Sequence, residues 1–383
     1  MFSRAVLVWD LLDEDGAQLF LAPLQLPSAA TPALPCRGLR LPVAIDRPGH
    51  TDVALHHGKS GTAACGTHAA LVRWCAALPD PWNTACLNAL TNYARPAEAF
   101  RWADGQLCNG ADRVRVMGVL NATPDSFSDG GRFVDQSAAI AAALAMADEG
   151  ADIIDIGGES TRPAALPVDP TEEKERVIPL ITALKRESAS LRISIDTRNA
   201  STARHALDAG ADMVNDVSAL SDPAMAPLIA HTGVPVVLMH LRGTPRTMQR
   251  DTHYDDLLGN LSDFLAERAK SATEAGIAGD RILVDPGFGF GKSPRGNEEI
   301  LRQLKALTSL GLPLLVGMSR KRFIGERTGV VLPDARLAGS LAAAVAAALA
   351  GASVVRVHDV RATREALAVA SALRPGQTPA GGR

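Results

Sequence analysis

The sequence predicts an α/β protein, a (β/α)8 TIM barrel with a small N-terminal α/β extension. From residue 97 onward, short apolar segments rich in β-branched residues alternate with segments of helical character. There are eight such pairs, which is the number that closes a parallel barrel. Nearly every predicted strand ends in a polar side chain, as expected where the carboxyl ends of parallel strands form an active site. A doubly wound open sheet is the competing architecture.

The first barrel strand shows this pattern most clearly. Val114, Val116 and Val119 form an apolar run that stops at Asn121, where Pro, Asp, Ser and Gly residues take over. Such a run is typical of a buried strand, and such a polar cluster is typical of a loop. The same reasoning predicts strands at 115–120, 153–156, 192–196, 213–216, 235–239, 282–285, 313–317 and 354–357. It predicts helices at 137–149, 171–188, 199–209, 223–232, 255–276, 297–309, 335–350 and 361–373.

The composition changes near residue 110. All five cysteines and all four tryptophans lie within the first 108 residues, which indicates an extension at 1–96 and a barrel domain at 97–383. The odd cysteine number without CxxC spacing argues against zinc and a disulfide framework. Within the extension we expect a hairpin of 4–12 with 18–24, a loop at 27–48 and a helix at 67–78. No motif there indicates a role, and three of its histidines, His56, His57 and His68, are expected at the surface.

The charge balance excludes several classes of partner. The net charge is −3 and the isoelectric point is near 6.3, so no electrostatic footprint for nucleic acid is present. The N-terminal segment carries several acidic residues and lacks the apolar core expected of a signal peptide. The uncharged run 337–355 is Ala-rich with interspersed Gly and Ser, and we interpret it as a buried helix leading into a strand. A cytoplasmic protein without membrane contact is expected.

The strand ends separate into two chemical groups. The first group mixes acceptors and donors with little net charge and suits a flat, neutral heterocycle: Asp196, Asn215, Asp285 and Lys321. The second group is cationic or carries hydroxyl, amide or imidazole groups and suits a phosphate or pyrophosphate with Mg²⁺: Asn121, Thr161, Arg162, Arg356 and His358.

Other polar residues of this region have simpler interpretations. The Gly-rich segment 287–291 is neither GxGxxG nor a Walker loop, so its glycines are expected to let the backbone approach a ring and to position Phe288 and Phe290. Lys292 is expected to be a solvated loop charge. His240 is expected to support the rim, and the helical histidines to be structural. Asp216 and Asp359 are each expected either to cap a helix or to orient a neighbouring site residue, with neither role favoured over the other.

With these residues in hand, segment 97–375 closely resembles the bacterial dihydropteroate synthase family. The matching motifs follow the family's order, and each lies at a predicted strand end. They are GVLNATPDSFSDGG at 118–131, DIGGESTRPAA at 155–165, ISIDT at 193–197, VNDV at 214–217, LMH at 238–240, VDPGFGFGK at 284–292, GMSRKRFIG at 317–325 and RVHDV at 356–360.

The resemblance implies a transferase of folate biosynthesis, of the kind that sulfonamides target. It would join 6-hydroxymethyl-7,8-dihydropterin pyrophosphate to 4-aminobenzoate, giving 7,8-dihydropteroate and pyrophosphate. It implies a homodimer acting on small molecules, with Mg²⁺ on Asn121. The catalytic residues would be Asp285, Lys321, Arg356 and His358. The other substrate contacts would be Thr161, Arg162, Asp196, Asn215, Phe127, Pro163, Phe290, Met239 and Ser319.

Two departures and two alternatives accompany this interpretation. Arg322 stands where family members often have serine, and it either pairs with the aminobenzoate carboxylate or points away. Leu241 and Arg242 replace a commoner Met-Gln. The alternatives are a folate/corrinoid methyltransferase, which needs no pyrophosphate site, and a non-catalytic pterin-binding paralogue, which would have lost charged site residues.

Overall fold

The computed structural model describes residues 7–11, 36–41, 53–58, 61–78, 82–95, 99–109, 113–122, 132–160, 165 and 167–373. The chain divides into two compact units. The first unit consists of Met1–Ala97, Tyr254–Glu267 and Gln303–Leu312, and the second of Glu98–His253, Arg268–Arg302 and Pro313–Arg383. Because the first unit includes two segments from later in the chain, the simple boundary between residues 96 and 97 stays a prediction.

The first unit contains an antiparallel sheet with two helices that follow it. Its strands are β1 (Leu7–Leu11), β2 (Cys36–Leu41), β3 (Val53–Gly58) and β4 (Gly61–Thr67), in the order β1-β2-β4-β3. The helices are His68–Ala76, which was predicted, and Trp82–Ala94, which was not. Leu71, Trp74, Cys75, Cys86 and Leu90 form the buried core beside them.

Two expectations for this unit need comment. The predicted loop at 27–48 is wrong across Cys36–Leu41, because these residues pair with β1 and with β4. Of the predicted hairpin, the first strand is present, whereas residues 18–24 lie outside the described residues. The side chains of His56, His57 and His68 also lie outside the description, so their surface position stays a prediction.

The second unit begins with a small hairpin of β5 (Ala99–Arg101) and β6 (Leu107–Asn109). Phe100 and Trp102 of this hairpin are buried with Cys108 in one cluster with residues near the amino ends of the barrel strands: Met117, Ile153, Met213, Val237, Leu283, Leu315 and Val354. The Arg192 guanidinium lies 4.8 Å above the centre of the Trp102 ring. The hairpin therefore covers the barrel end opposite to the predicted site.

Eight parallel strands then form a closed barrel, which confirms the predicted fold class. They are β7 (Arg115–Asn121), β8 (Ile153–Gly157), β9 (Ile193–Asp196), β10 (Met213–Asp216), β11 (Val236–Met239), β12 (Ile282–Asp285), β13 (Leu314–Val316) and β14 (Ala352–Val357), with β14 paired to β7. Most strand positions are buried on both faces, as expected when helices cover a parallel sheet.

Helices follow the strands in alternation. Their bounds are Arg132–Asp148, Pro170–Glu187, Ala200–Asp208, Met225–Thr232, Leu257–Glu274, Pro294–Arg302, Arg322–Thr328, Leu337–Leu349 and Val360–Ser371, with short 3₁₀ turns at Gly279–Arg281, Leu304–Leu310 and Pro333–Ala335. Pro170–Glu187 shows why they begin where they do. Asp169 accepts a hydrogen bond from the Thr171 amide at 2.8 Å, and Pro170 occupies the first turn. Within the described residues, no helix is long and apolar enough to cross a membrane.

Candidate active site

An arginine held by two carboxylates lies inside the barrel. Arg356 Nε donates to Asp155 Oδ2 at 2.6 Å, and Arg356 Nη2 donates to Asp196 Oδ2 at 2.8 Å. Asn215 Nδ2 donates to the same Asp155 oxygen at 3.1 Å. Asp155 has 0% of its surface exposed, and its Oδ1 has no hydrogen-bond partner among the described residues. Strands β8, β9, β10 and β14 thus bring four polar side chains together.

The Asp196 carboxyl titrates close to neutral pH. Burial raises the pKa of Asp196 to about 7, the nearby Arg356 guanidinium opposes this shift, and the Asp155 charge adds to it. A group with this pKa changes between a proton acceptor and a donor near neutrality. Its position at the last residue of β9 places it at the carboxyl end of the barrel.

Asp285 and Lys321 form the second half of the first predicted group. Asp285 ends β12, and its Oδ1 accepts the Gly287 amide at 2.7 Å. Burial raises the pKa of Asp285, whereas the Lys321 charge lowers it. Burial also lowers the pKa of Lys321 to about 8, against the attraction of Asp285. Lys321 Nζ donates to the Phe288 carbonyl and lies 4.7 Å from the centre of the Phe290 ring.

The glycine-rich loop after β12 requires glycine at its first position. Gly287 has φ of +68°, and a Cβ there would lie 2.1 Å from the His240 carbonyl oxygen. Phe288 is fully buried and stacked on Phe323 with ring centres 6.1 Å apart. The predicted positioning of both phenylalanines agrees with this geometry, whereas the approach of the backbone to a ligand ring stays a prediction.

The second predicted group is only partly described. His358 Nδ1 lies 3.1 Å from Ser319 Oγ, which also accepts the His358 amide at 3.2 Å. Asn121 is half-buried at the end of β7 and pairs in register with Gly157, which pairs with Asp196. Met239 is buried at the end of β11, in register with Asp285. Four predicted residues lie outside the described residues: Phe127, Thr161, Arg162 and Pro163.

The prediction for Lys292 is wrong. Its side chain is buried at 2% exposure, and Nζ lies within hydrogen-bond distance of His240 Nδ1, at 2.9 Å, and of three backbone carbonyls. His240 is buried as well, and burial lowers its pKa to about 2, with Lys292 adding to the shift. The sequence places Lys292 directly after a Gly-rich loop, which is usually solvated; here the loop folds over the lysine.

The structure gives hydrogen-bond partners to Asp216 and Asp359, the two acids for which capping and orienting roles were equally expected. Asp216 accepts the amides of Ser218 and Leu220 and thereby stabilises the turn after β10. Asp359 accepts two hydrogen bonds from Arg320, at 3.1 and 2.7 Å. Both therefore support the rim.

Sequence reasoning did not select Asp155 as a site residue. The available signal was a single acid inside the apolar run of β8, between Ile154 and Ile156. An acid at such a position needs a partner inside the barrel, and Arg356 provides one.

Comparisons with known proteins agree with this geometry. The family described as pterin binding enzyme matches residues 117–358. The dihydropteroate synthase of Synechocystis is 49% identical over 262 residues, which are 68% of this chain and 90% of that protein. A structure of the Xanthomonas albilineans enzyme with 4-aminobenzoic acid has a TM-score of 0.68 at 48% identity and covers 73% of this chain and 100% of its own. This chain belongs to the dihydropteroate synthase family.

Among the departures from this family, Arg322 lies on the surface. Its side chain is 80% exposed and forms an ion pair with Glu326, one turn further along the helix Arg322–Thr328. We predict that Arg322→Ser changes kcat/KM for either substrate less than about threefold, because exposed ion pairs contribute little. Steady-state kinetics with 4-aminobenzoate as the varied substrate tests this. A rise in the KM of aminobenzoate of tenfold or more would show that Arg322 turns toward the substrate.

Proposed function

We propose that this chain is a dihydropteroate synthase, which condenses 6-hydroxymethyl-7,8-dihydropterin pyrophosphate with 4-aminobenzoate to give 7,8-dihydropteroate and pyrophosphate. The observation that carries the proposal is a set of donors and acceptors at the carboxyl end of a barrel of this family. Asp155, Asp196, Asn215 and Asp285 are buried, and Lys321 and Arg356 are partly buried. Related enzymes have been solved with 7,8-dihydropteroate and with 4-aminobenzoate.

We propose that the pterin is recognised by side chains whose donors and acceptors match those of its ring. Asp196 and Asp285 offer carboxylate oxygens to ring N–H and amino groups, and Lys321 donates to a ring carbonyl or nitrogen. Because these groups are buried, a ligand without matching donors and acceptors would leave them unpaired at a substantial cost. We propose that Asn215 completes this set through its amide oxygen, since its Nδ2 is held by Asp155.

The reaction breaks a carbon–oxygen bond and forms a carbon–nitrogen bond at the pterin methylene. The electron pair of the broken bond leaves with the pyrophosphate, and the methylene becomes electron-poor. The Asp285 carboxylate stabilises that positive charge electrostatically. The aminobenzoate nitrogen supplies the new electron pair and then loses a proton. An arylamine is nucleophilic when neutral, so we assign no general base.

The leaving group needs positive charge and hydrogen-bond donors. We propose Thr161, Arg162, Arg356 and His358 for this role, although the contacts of Arg356 with Asp155 and Asp196 also place it beside the pterin residues. Asn121 fits a Mg²⁺ that keeps most of its waters: it offers one amide oxygen at a strand end, and no cluster of three acidic, His or Cys ligands occurs within the described residues. When bound, Mg²⁺ would supply charge that stabilises the departing pyrophosphate.

We further propose that Phe127, Pro163, Phe290, Met239 and Ser319 contribute to the substrate pockets. The position of Phe290 beneath the Lys321 ammonium supports this for the aminobenzoate side.

The proposal is tested by pyrophosphate release. Purified protein receives Mg²⁺ and the pterin pyrophosphate, with and without 4-aminobenzoate, and the product is identified by mass. We expect release that depends on aminobenzoate, together with dihydropteroate. Tight pterin binding without turnover would instead identify a non-catalytic paralogue and overturn the proposal.

The pKa values of Asp196 and Lys321 predict a narrow pH optimum. Below about pH 7 the Asp196 carboxylate is protonated and loses acceptor capacity. Above about pH 8 the Lys321 ammonium loses its charge. We therefore expect kcat/KM for the pterin substrate to follow a bell shape, since this ratio reports the free enzyme. The profile is measured from about pH 5 to about pH 10. Unchanged kcat/KM across this range would contradict both assignments.

A homodimer and a cytoplasmic location are also proposed. The support for a dimer is that six of the seven large apolar side chains exposed among the described residues lie between residues 331 and 373: Val331, Leu332, Leu337, Leu349, Val369 and Leu373. Light scattering of the purified chain tests the dimer, and cell fractionation tests the location.

A further inference from the structure

A buried lysine outside the assigned substrate contacts connects two loops of the site. Lys292 Nζ contacts the Gly287 carbonyl at 2.8 Å, the Phe290 carbonyl at 2.9 Å and the His240 carbonyl at 3.1 Å. His240 Nδ1 lies at 2.9 Å. An ammonium has three hydrogens to donate, so the three carbonyls of the two loops match its full donor capacity. No other lysine within the described residues is as deeply buried.

These contacts lie next to the atoms that hold Asp285 and Lys321. The Gly287 residue whose carbonyl accepts from Lys292 donates its own amide to Asp285 Oδ1 at 2.7 Å. The carbonyl of Phe288, the next residue, accepts a hydrogen bond from Lys321 Nζ. Phe290, which also accepts from Lys292, places its ring 4.7 Å from the same Nζ. Lys292 therefore binds the loop at Gly287 and Phe290, on either side of Phe288, and Phe290 also contacts Lys321.

The charges around Lys292 belong to the site as well. Burial lowers the pKa of Lys292 well below its usual value of 10.5, and the Lys321 and Arg242 charges add to this shift. The Asp285 carboxylate opposes it, and the three carbonyl acceptors also favour the charged ammonium. In return, the Lys292 charge lowers the pKa of Asp285. His240, the fourth neighbour, is neutral because its pKa is about 2.

We propose that Lys292 is a positioning residue that fixes the loop 286–291, so that Asp285 and Lys321 are held in their pterin-binding arrangement. The proposal rests on the proposed function, because it assigns Lys292 to the same pterin pocket. Lys292 itself does not contact the substrate; it acts through the Gly287 and Phe290 carbonyls and through its charge next to Asp285.

The test compares Lys292→Met with Lys270→Met, which removes a lysine from a surface helix where it pairs with Glu274 at 3.6 Å. Calorimetry measures binding of the pterin pyrophosphate as a function of pH, in the absence of aminobenzoate. Circular dichroism measures whether each variant is folded. We expect Lys292→Met to weaken binding by about 10- to 100-fold. Asp196 and Asp285 both contribute to the acid limb of binding, and loss of the Lys292 charge raises the pKa of Asp285. We therefore also expect this limb to move to higher pH, by up to about one unit. Lys270→Met should match the wild type in both.

If Lys292 had a purely structural role, Lys292→Met would unfold at a lower midpoint, but the folded variant would keep the wild-type acid limb of pterin binding. That result would overturn the proposal. If Lys292→Met does not fold, Lys292→Gln takes its place. Its amide still donates two hydrogen bonds but carries no charge, so the same acid-limb shift is expected, and its absence is equally decisive. If the wild-type protein does not bind the pterin pyrophosphate, the proposed function itself is overturned. If the wild-type protein binds it and the Lys292 variant binds it equally well, only the role of Lys292 is overturned.

Discussion

Lys321→Ala should lower kcat/KM for the pterin substrate by about a thousandfold, which corresponds to about 4 kcal/mol of lost stabilisation. The substitution removes a charged donor, worth about 1.5–3 kcal/mol as a hydrogen bond. It also leaves the buried Asp285 carboxyl without its largest stabilising charge, so the pKa of Asp285 rises further. Pterin recognition then loses one donor, and the Asp285 carboxylate becomes a weaker acceptor.

The same substitution should leave the protein folded. The pKa of Lys321 is lowered to about 8 from its usual 10.5, which means that folding disfavours its charged form near neutral pH. Removing the ammonium therefore relieves a penalty in the folded state. Lys270→Ala is the matched control for loss of a lysine. Retention of more than about a tenth of wild-type kcat/KM by folded Lys321→Ala would show that Lys321 does not hold the pterin.

The barrel was predictable from the sequence because its strands are buried on both faces. β10 and β12 were predicted at their observed bounds, Met213–Asp216 and Ile282–Asp285, since a short apolar run ending in a polar residue leaves little freedom for another assignment. Cys36–Leu41 was missed because surrounding prolines suggested a loop, whereas antiparallel pairing with two distant segments decides its conformation.

The positions of the candidate site residues could be predicted where these residues follow strand ends, and not where they lie within a strand or a loop. Asp196, Asn215 and Asp285 each end or nearly end a strand, so the alternation of strands and loops is enough to select them. The contact of Asp155 with Arg356 joins residues 201 positions apart, and only the closure of the barrel between β14 and β7 brings them together. The burial of Lys292 likewise depends on how one loop folds over its own last residue.

The role of Arg356 shows the same limit. From the sequence, an arginine after a strand indicates an anion-binding site, and the resemblance placed it at the pyrophosphate. In the structure its guanidinium is shared between Asp155 and Asp196. The Arg356 guanidinium lowers the pKa of Asp196, so a substitution of its other partner, Asp155, should change the pH dependence of binding.

Asp155→Ala should have the largest effect on stability, a loss of about 3–5 kcal/mol in the free energy of unfolding, because it breaks a buried ion pair and leaves Arg356 half paired. It should also move the acid limb of pterin binding to lower pH. The Asp155 charge raises the pKa of Asp196, so its removal lets the Asp196 carboxylate persist further into the acidic range. Urea unfolding and calorimetric titration across pH measure the two effects separately.

Asp212→Ala is the matched control, because Asp212 also accepts from two basic side chains, Lys185 at 2.7 Å and Arg192 at 3.0 Å, but precedes β10 at the opposite end of the barrel. This variant should lose stability and keep the wild-type acid limb. If both variants shift that limb equally, the shift reports a loosened barrel. If only Asp155→Ala shifts it, the charge of Asp155 acts on Asp196 directly, and the carboxylate–arginine–carboxylate cluster sets the pH at which the enzyme takes its pterin.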